Sequence, residues 1–347
     1  MSSLNKKTSH LCLKWSLLAL WQLTQKDPYM CRLFIENQNT IKYLLEIVQN
    51  YSNVSLKELH QIKAAALRVL TYLSSNRDAI KQILSEIINN KCLTSIVLNQ
   101  TEEVIIKETV GLLVQLTTPF IDSKEKSNDS IWDVLGNKSL INELVYCLTE
   151  IVRFISNNQI FLMASAALAN ITFLNVESLV KFDTLSILVN ASKQRHDSDD
   201  FLLKDQIIAL LANVSQKYPL EVVSSGGLIY LLNVLHSEAP DDSGSTQVAL
   251  TRIKQKIAVA LARLGAHKST SKIIYKLDGV AKLVQLCKDP RERNYSDTVL
   301  LASIAALKRI SQSIGRSPFK KLNATDLIDH KLQNSFIQYS TRNESLV

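Results

Sequence analysis

A five-residue motif recurs seven times along the chain, and this repeat limits the possible folds more than any other feature of the sequence. Each copy has a small residue or Leu, then Leu, two variable residues and an aliphatic residue. The copies end at positions 23, 70, 116, 171, 214, 264 and 310, so the intervals between them range from 43 to 55 residues. On a helix, the apolar residues of such a segment share one face. We therefore expect seven helices that each bury one side, as illustrated by Ile257, Ala260, Leu261 and Leu264.

A second pattern follows several copies of the motif, where a turn signal precedes another apolar segment. The plainest examples are Asn39-Thr40, Gly226-Gly227 and Asp278-Gly279. The repeating unit is then a short helix, a tight turn, a second helix, a loop and the long Leu-marked helix, which is the order and the period of armadillo repeats. Only 8 Gly occur in 347 residues, too few for many β-hairpins. The sequence predicts an all-α fold, a right-handed superhelical solenoid of about seven armadillo-type repeats, whereas a bundle of unrelated helices would not keep both patterns in step.

The repeat also predicts the domain organisation. We assign residues 1–316 to the armadillo-repeat solenoid and residues 317–347 to a C-terminal capping helix, over about Thr325–Tyr339, with an exposed tail. The two longest intervals predict exposed polar loops, over 119–137 and 237–246. A third polar loop is expected over 288–294.

The chain contains none of the short motifs that carry common catalytic chemistry. There is no Walker motif, no GxGxxG, no HExxH and no GxSxG, the six His are far apart, and the five Cys form no CxxC pair. We therefore expect no enzyme activity, no cofactor, no metal and reduced thiols. The net charge of +8 is spread along the chain, which argues against nucleic-acid binding. No apolar run approaches the ~20 residues of a membrane span, so we expect a cytoplasmic protein.

The residue before the final aliphatic position of the motif is polar in six of the seven copies. We call these six residues the ladder: Gln22, Gln115, Asn170, Asn213, Arg263 and Arg309. They lie about a hundred degrees around the helix from the buried stripe. One hypothesis is that they line a groove and bind the backbone of an extended peptide. The alternative is that the amides tie neighbouring repeats together.

The last four residues have the form of a ligand for a PDZ domain. They are Glu344, Ser345, Leu346 and Val347. Such a tail adds a strand to a sheet edge, where backbone amides hold the terminal carboxylate and a pocket takes the last aliphatic side chain. The sequence therefore predicts a PDZ-binding tail.

The C-terminal repeat resembles the last repeat of the Inscuteable family, in the segments 277–294, 296–300 and 305–310, and the resemblance is specific over residues 220–347. It implies an armadillo adaptor of asymmetric cell division, at the cell cortex, that connects the PDZ scaffold Bazooka to the spindle-orienting protein Partner of Inscuteable, or LGN. In the family, a short segment before the array engages the latter protein. Here the first Leu-marked helix begins within about twenty residues of Met1, so we expect a shortened isoform, a fragment or a diverged relative.

The sequence is compatible with two other classes of function. An importin-like or catenin-like adaptor would use the ladder for an extended peptide, which we expect to be acidic because Arg263 and Arg309 lie at one end. Importin-like grooves pair a Trp with each ladder Asn, but here those positions are Ala166 and Ala209. An enzyme or an RNA-binding repeat protein would need a catalytic cluster or a basic stripe with aromatic residues, and neither is evident.

Overall fold

The computed structural model describes residues 2–36, 39–50, 56–90, 93–98, 102–118, 134, 136–195, 200–237 and 244–329. In these ranges the regular structure is α-helical and includes no β-strand. The all-α prediction is confirmed. The chain divides into two compact units, Met1–Ala167 and Leu168–Val347.

In the first unit, the Leu-marked helices α1, α4 and α7 pack side by side, α1 against α4 and α4 against α7. The shorter helices between them form the remaining members of each repeat. The helices of this unit are α1 (Ser2–Lys26), α2 (Pro28–Glu36), α3 (Thr40–Asn50), α4 (Leu56–Leu73), α5 (Arg77–Asn90), α6 (Leu93–Leu98), α7 (Glu103–Thr117) and α8 (Lys138–Phe154). The helix α9 (Asn158–Ile171) contains the boundary between the units.

In the second unit, the Leu-marked helices α12, α15 and α18 stack in the same way, and the order of short helix, second helix and long helix repeats between them. The helices are α10 (Glu177–Lys181), α11 (Thr184–Lys193), α12 (Phe201–Ser215), α13 (Pro219–Ser224), α14 (Gly227–His236), α15 (Gly244–Leu264), α16 (Lys268–Lys276), α17 (Gly279–Lys288), α18 (Asp297–Ile314), α19 (Ser317–Lys321) and α20 (Thr325–Asp329).

Local sequence signals set where the long helices begin. The side chain of Asp200 accepts a hydrogen bond from the backbone N–H of Leu203 at the start of α12, and Ser296 accepts one from Val299 at the start of α18. Such caps satisfy backbone donors that have no partner inside the helix.

The Leu-marked motif forms the core in six of its seven copies. In these copies, both the Leu at the second position and the final aliphatic residue are 0 to 1% exposed. The first copy differs from the prediction, because Leu23 is 46% exposed, and over residues 10–25 of α1 the buried residues are Leu17 and Thr24. The main packing partners of α1 are α2 and α4, so a different face of this helix is covered.

The turn between the first and second helix of a repeat uses a residue with positive φ. This residue is Asp183, Gly226 or Asp278 in the three complete repeats of the second unit. Asn323 adopts the same conformation between α19 and α20. Residues 317–329 therefore repeat the start of an armadillo unit, and α20 packs against α18. The rest of the expected capping helix, residues 330–339, lies outside the described residues, and the boundary at 316 stays a prediction.

Candidate peptide-binding surfaces

Three ladder residues of the second unit lie below the surface. Asn170, Asn213 and Arg263 are 4, 3 and 4% exposed. The Asn213 side-chain amide donates a hydrogen bond to the hydroxyl of Thr172 (2.8 Å), and Arg263 Nη1 donates to the backbone carbonyl of Ala212 (2.7 Å). These contacts connect consecutive repeats, which is the arrangement that the alternative interpretation of the ladder anticipates.

The other ladder residues are more accessible. Arg309 is half-buried on α18, and in the first unit both Gln22 and Gln115 are exposed. The six ladder residues therefore differ in burial, because the packing of neighbouring helices covers some of these positions and leaves others accessible. Its role in peptide binding stays a proposal.

A cavity of about 370 Å³ lies in the first unit, between α1, α4 and the start of α7. We call it the N-terminal groove. Its lining residues include Lys14, Leu18, Lys57, Ala64, Arg68 and Val104. None of these was selected from the sequence, because Arg68 occupies a variable position of the motif and the others lie outside it.

Contacts with two other helices fix Arg68 in the N-terminal groove. Its Nε donates a 2.8 Å hydrogen bond to Glu108 Oε1 on α7, and its guanidinium carbon is 5.1 Å from the centre of the Trp21 ring on α1. The salt bridge and the cation–π contact both restrict the side chain. An arginine held in this way is oriented before any ligand arrives.

The second unit contains a buried charge cluster on α12 and α15. Asp205 is 1% exposed, and its two carboxylate oxygens are 3.0 Å from Lys256 Nζ and 2.6 Å from Arg252 Nη2. Lys256 is equally buried. The Asp205 carboxylate compensates the charge of the buried lysine, and the two ion pairs connect α12 with α15.

The described cysteines are unpaired, and Cys31, Cys147 and Cys287 are buried whereas Cys12 is exposed. Burial raises the pKa of the Cys147 and Cys287 thiols to about 12. Burial also raises the pKa of Cys31, whose thiol donates to the carbonyl of Thr24. Within the described ranges no group of three or more metal-ligating side chains occurs, and Cys92 lies outside them.

The structure does not describe the tail Glu344, Ser345, Leu346 and Val347, which lies beyond residue 329. Its assignment as a PDZ ligand therefore stays a prediction from the sequence. Among the described helices, none combines the length and the apolar character required to cross a bilayer.

A comparison with protein families finds a match over residues 2–347 to the family described as "Protein inscuteable C-terminal". The human protein named "Protein inscuteable homolog" is 27% identical over 338 residues, which cover 94% of this chain and 55% of that protein. The mouse protein of the same name is 28% identical with the same coverage. The chain thus spans about half the length of the relatives that it matches.

Two solved structures with 19% sequence identity share the fold. An engineered protein from a structural genomics consortium has a TM-score of 0.58, covering 80% of this chain and 98% of its own. A designed armadillo repeat protein, solved with the peptide (KR)4, has a TM-score of 0.53, covering 77% of this chain and 99% of its own. The second likeness confirms the armadillo-repeat architecture.

Proposed function

This chain belongs to the Inscuteable family, and from that premise we propose that it is a non-enzymatic adaptor that binds a PDZ domain of a Bazooka-type polarity scaffold. Family membership and the armadillo fold support an adaptor that binds other proteins. The polarity scaffold, a role in asymmetric cell division and a location at the cell cortex are the finer parts of the proposal.

The observation that carries the PDZ interaction is the C-terminal sequence. Ser345 is the third residue from the end and Val347 bears the terminal carboxylate. In strand addition, backbone amides of the PDZ domain bind the carboxylate, a polar side chain binds the serine hydroxyl and an apolar pocket takes the valine. Leu346 faces away from the pocket in this mode, because side chains alternate along a strand.

The link to Partner of Inscuteable, or LGN, is a separate part of the proposal. It follows from family membership alone, and the chain covers 55% of the length of its human relative. The interaction is tested by titrating the intact chain with the TPR domain of that protein. Saturable binding supports a bridge between the two partners, and its absence limits this chain to the PDZ link.

An armadillo adaptor that binds an extended peptide is the second candidate function. The exposed ladder residues Gln22 and Gln115 support it, because primary amides can donate to and accept from a peptide backbone. In the second unit, the half-buried Arg309 supports an acidic ligand. This activity is compatible with a PDZ-binding tail on the same chain.

The test of the PDZ interaction is a titration of the full chain against isolated PDZ domains of a Bazooka-type scaffold. We expect binding by the intact chain and none by a chain that lacks Ser345, Leu346 and Val347. A single Gly added after Val347 should also abolish binding, because it displaces the carboxylate from the backbone amides. The matched control is Leu346→Ala, which should bind within about threefold of the intact chain, since side chains alternate along the strand.

Loss of binding in the truncated and extended chains, with the control intact, supports the proposal. Equal binding by all four proteins would place the interaction elsewhere on the chain. No binding by the intact chain would overturn the proposal, because the sequence pattern of a PDZ ligand is then present without the activity.

A further inference from the structure

We infer that the N-terminal groove binds an acidic peptide segment that also carries an apolar side chain. The inference deepens the proposed adaptor function by naming a binding site and a class of ligand. It rests on that function because the ligand is a segment of another protein. It differs from the ladder hypothesis, because no ladder residue lines this groove.

The charge of the lining favours an anionic ligand. Lys14, Lys57 and Arg68 contribute three positive charges, whereas Glu102 and the Glu108 carboxylate that Arg68 binds contribute two negative charges. Neither lysine forms an ion pair with any part of the chain that the structure describes. The Nζ atom of Lys14 lies 5.6 Å from the centre of the neighbouring Trp15 ring. An excess of cations in a concave surface attracts carboxylates and raises their local concentration.

Arg68 supplies the oriented donor of the groove. The Nε atom is taken by Glu108, while the terminal amino groups have no hydrogen-bond partner among the described residues. Because Trp21 and Glu108 already hold the side chain, little conformational entropy is lost when a carboxylate binds. The contact to an Asp or Glu of the ligand would then be a charge-assisted hydrogen bond.

The carboxylates near the groove do not favour a basic ligand. Glu108 is engaged by Arg68, and Glu102 Oε1 lies 3.7 Å from His60 Nδ1. A basic peptide would have to compete with Arg68 for Glu108 and would approach Lys14 and Lys57. Like-charge contacts of this kind oppose binding.

An apolar part of the lining fits a hydrophobic side chain of the same peptide. Leu18, Ala64 and Val104 contribute it, and Val104 is 53% exposed. The volume of about 370 Å³ is large enough for an aliphatic side chain together with adjoining backbone. Pockets of this kind combine an apolar anchor with a few oriented polar groups.

The experiment measures fluorescence polarisation of a short labelled peptide made of Glu with two Leu residues, titrated with the full chain. Peptides in which Gln or Lys replaces every Glu are the ligand controls. We expect binding of the Glu peptide alone. The variant Lys57→Glu should weaken it about tenfold, because one attractive contact becomes repulsive. Arg68→Lys should weaken it less, since the charge remains and the planar fork is lost.

The matched control variant is Lys42→Glu, which makes the same charge change on α3 at an exposed position of the same unit. It should change the affinity less than about twofold if the groove is the site, since Lys42 does not line the groove and salt screens exposed charges that do not touch the ligand. Equal weakening by Lys42→Glu and Lys57→Glu would overturn the inference, because the peptide would then respond only to the overall charge of +8. Absence of binding by the intact chain would overturn it as well.

A chain that lacks Ser345, Leu346 and Val347 separates this inference from the PDZ proposal. It should bind the Glu peptide as the intact chain does while losing the PDZ domain. A truncated chain that loses the Glu peptide would contradict the groove as its site. Failure of the PDZ titration with peptide binding retained would overturn only the proposed link to the polarity scaffold.

Discussion

Asn213 and Thr172 are joined by a 2.8 Å hydrogen bond, from the side-chain amide of one to the hydroxyl of the other, although 41 residues separate them in the sequence. Asn213 is 3% exposed and Thr172 is also 3% exposed. The bond lies between the ends of two successive Leu-marked helices. A polar pair buried at this position connects two repeats and satisfies groups that water cannot reach.

Replacing Asn213 with Ala should therefore destabilise the protein. We expect the free energy of unfolding to fall by about 1–3 kcal/mol, because the hydroxyl of Thr172 loses a buried partner. Urea unfolding followed by circular dichroism measures the change. The matched control is Gln115→Ala, an exposed ladder position where the change should be below about 0.5 kcal/mol. Equal losses in the two variants would contradict a special role for the buried bond.

Gly279 lies at the start of α17, where space rather than backbone conformation requires glycine. A Cβ at this position would lie 2.8 Å from Leu232 Cδ2 and 3.1 Å from the carbonyl oxygen of Ile274. Gly279→Ala should lower the free energy of unfolding by about 1–3 kcal/mol, because the two elements must move apart. Thermal unfolding of the full chain measures it.

The matched control for this change is Gly111→Ala in the interior of α7. Its Cβ would meet only the flexible end of Met163, at 3.4 Å. Alanine has the higher helix propensity, so this variant should gain about 0.5–1 kcal/mol. Stabilisation by both substitutions would show that α17 adjusts without cost.

Sequence periodicity predicts the core well because burial in stacked helices follows helical geometry. Leu211 and Val214 of α12 occupy the second and final motif positions, and both are fully buried. The first copy fails because the motif describes one face of one helix and contains no information on which neighbours cover it. On α1 the packing of α2 and α4 buries Leu17 and leaves Leu23 half exposed.

The candidate sites were harder to predict because they depend on contacts between repeats. A helical wheel places Asn170 and Asn213 beside the buried stripe, but the packing of adjacent repeats covers them. Arg68 occupies a variable position, and its orientation is set by Trp21 and Glu108, which lie on two other helices. No spacing rule within one helix joins these three residues. The predicted PDZ ligand consists of four consecutive residues, so its pattern is visible in the sequence without knowledge of the fold.

The cluster of Asp205 with Lys256 and Arg252 provides a test of buried charge. Asp205→Asn should lower the free energy of unfolding by about 3–5 kcal/mol, because Lys256 stays buried without its carboxylate. The double variant Asp205→Leu with Lys256→Met removes both charges and should recover most of that loss. Urea unfolding at neutral pH measures all three proteins.

The control for the buried cluster is the exposed pair of Glu177 and Lys217, which are 60 and 59% exposed. Glu177→Gln should leave the unfolding midpoint unchanged, because exposed pairs are solvated before and after the change. A double variant at the buried site that is no more stable than Asp205→Asn would contradict the assignment of the loss to an unpaired lysine.

The buried thiols predict how stability depends on alkaline pH. Burial raises the pKa of Cys147 and Cys287 from 9.0 to about 12, so between these values the unfolded chain releases protons that the folded chain retains. Stability is therefore present below about pH 9 and falls as the pH rises toward 12, by about 1.4 kcal/mol per pH unit for each thiol. Urea midpoints between pH 8 and pH 11 measure the slope. The variant Cys147→Ala should be less stable at pH 8 but should lose less stability on alkalinisation. The matched control is Cys12→Ala, which removes an exposed thiol and should keep the stability of the original chain at pH 8. An unchanged slope in Cys147→Ala would show that this thiol ionises at the same pH in the folded and unfolded chains.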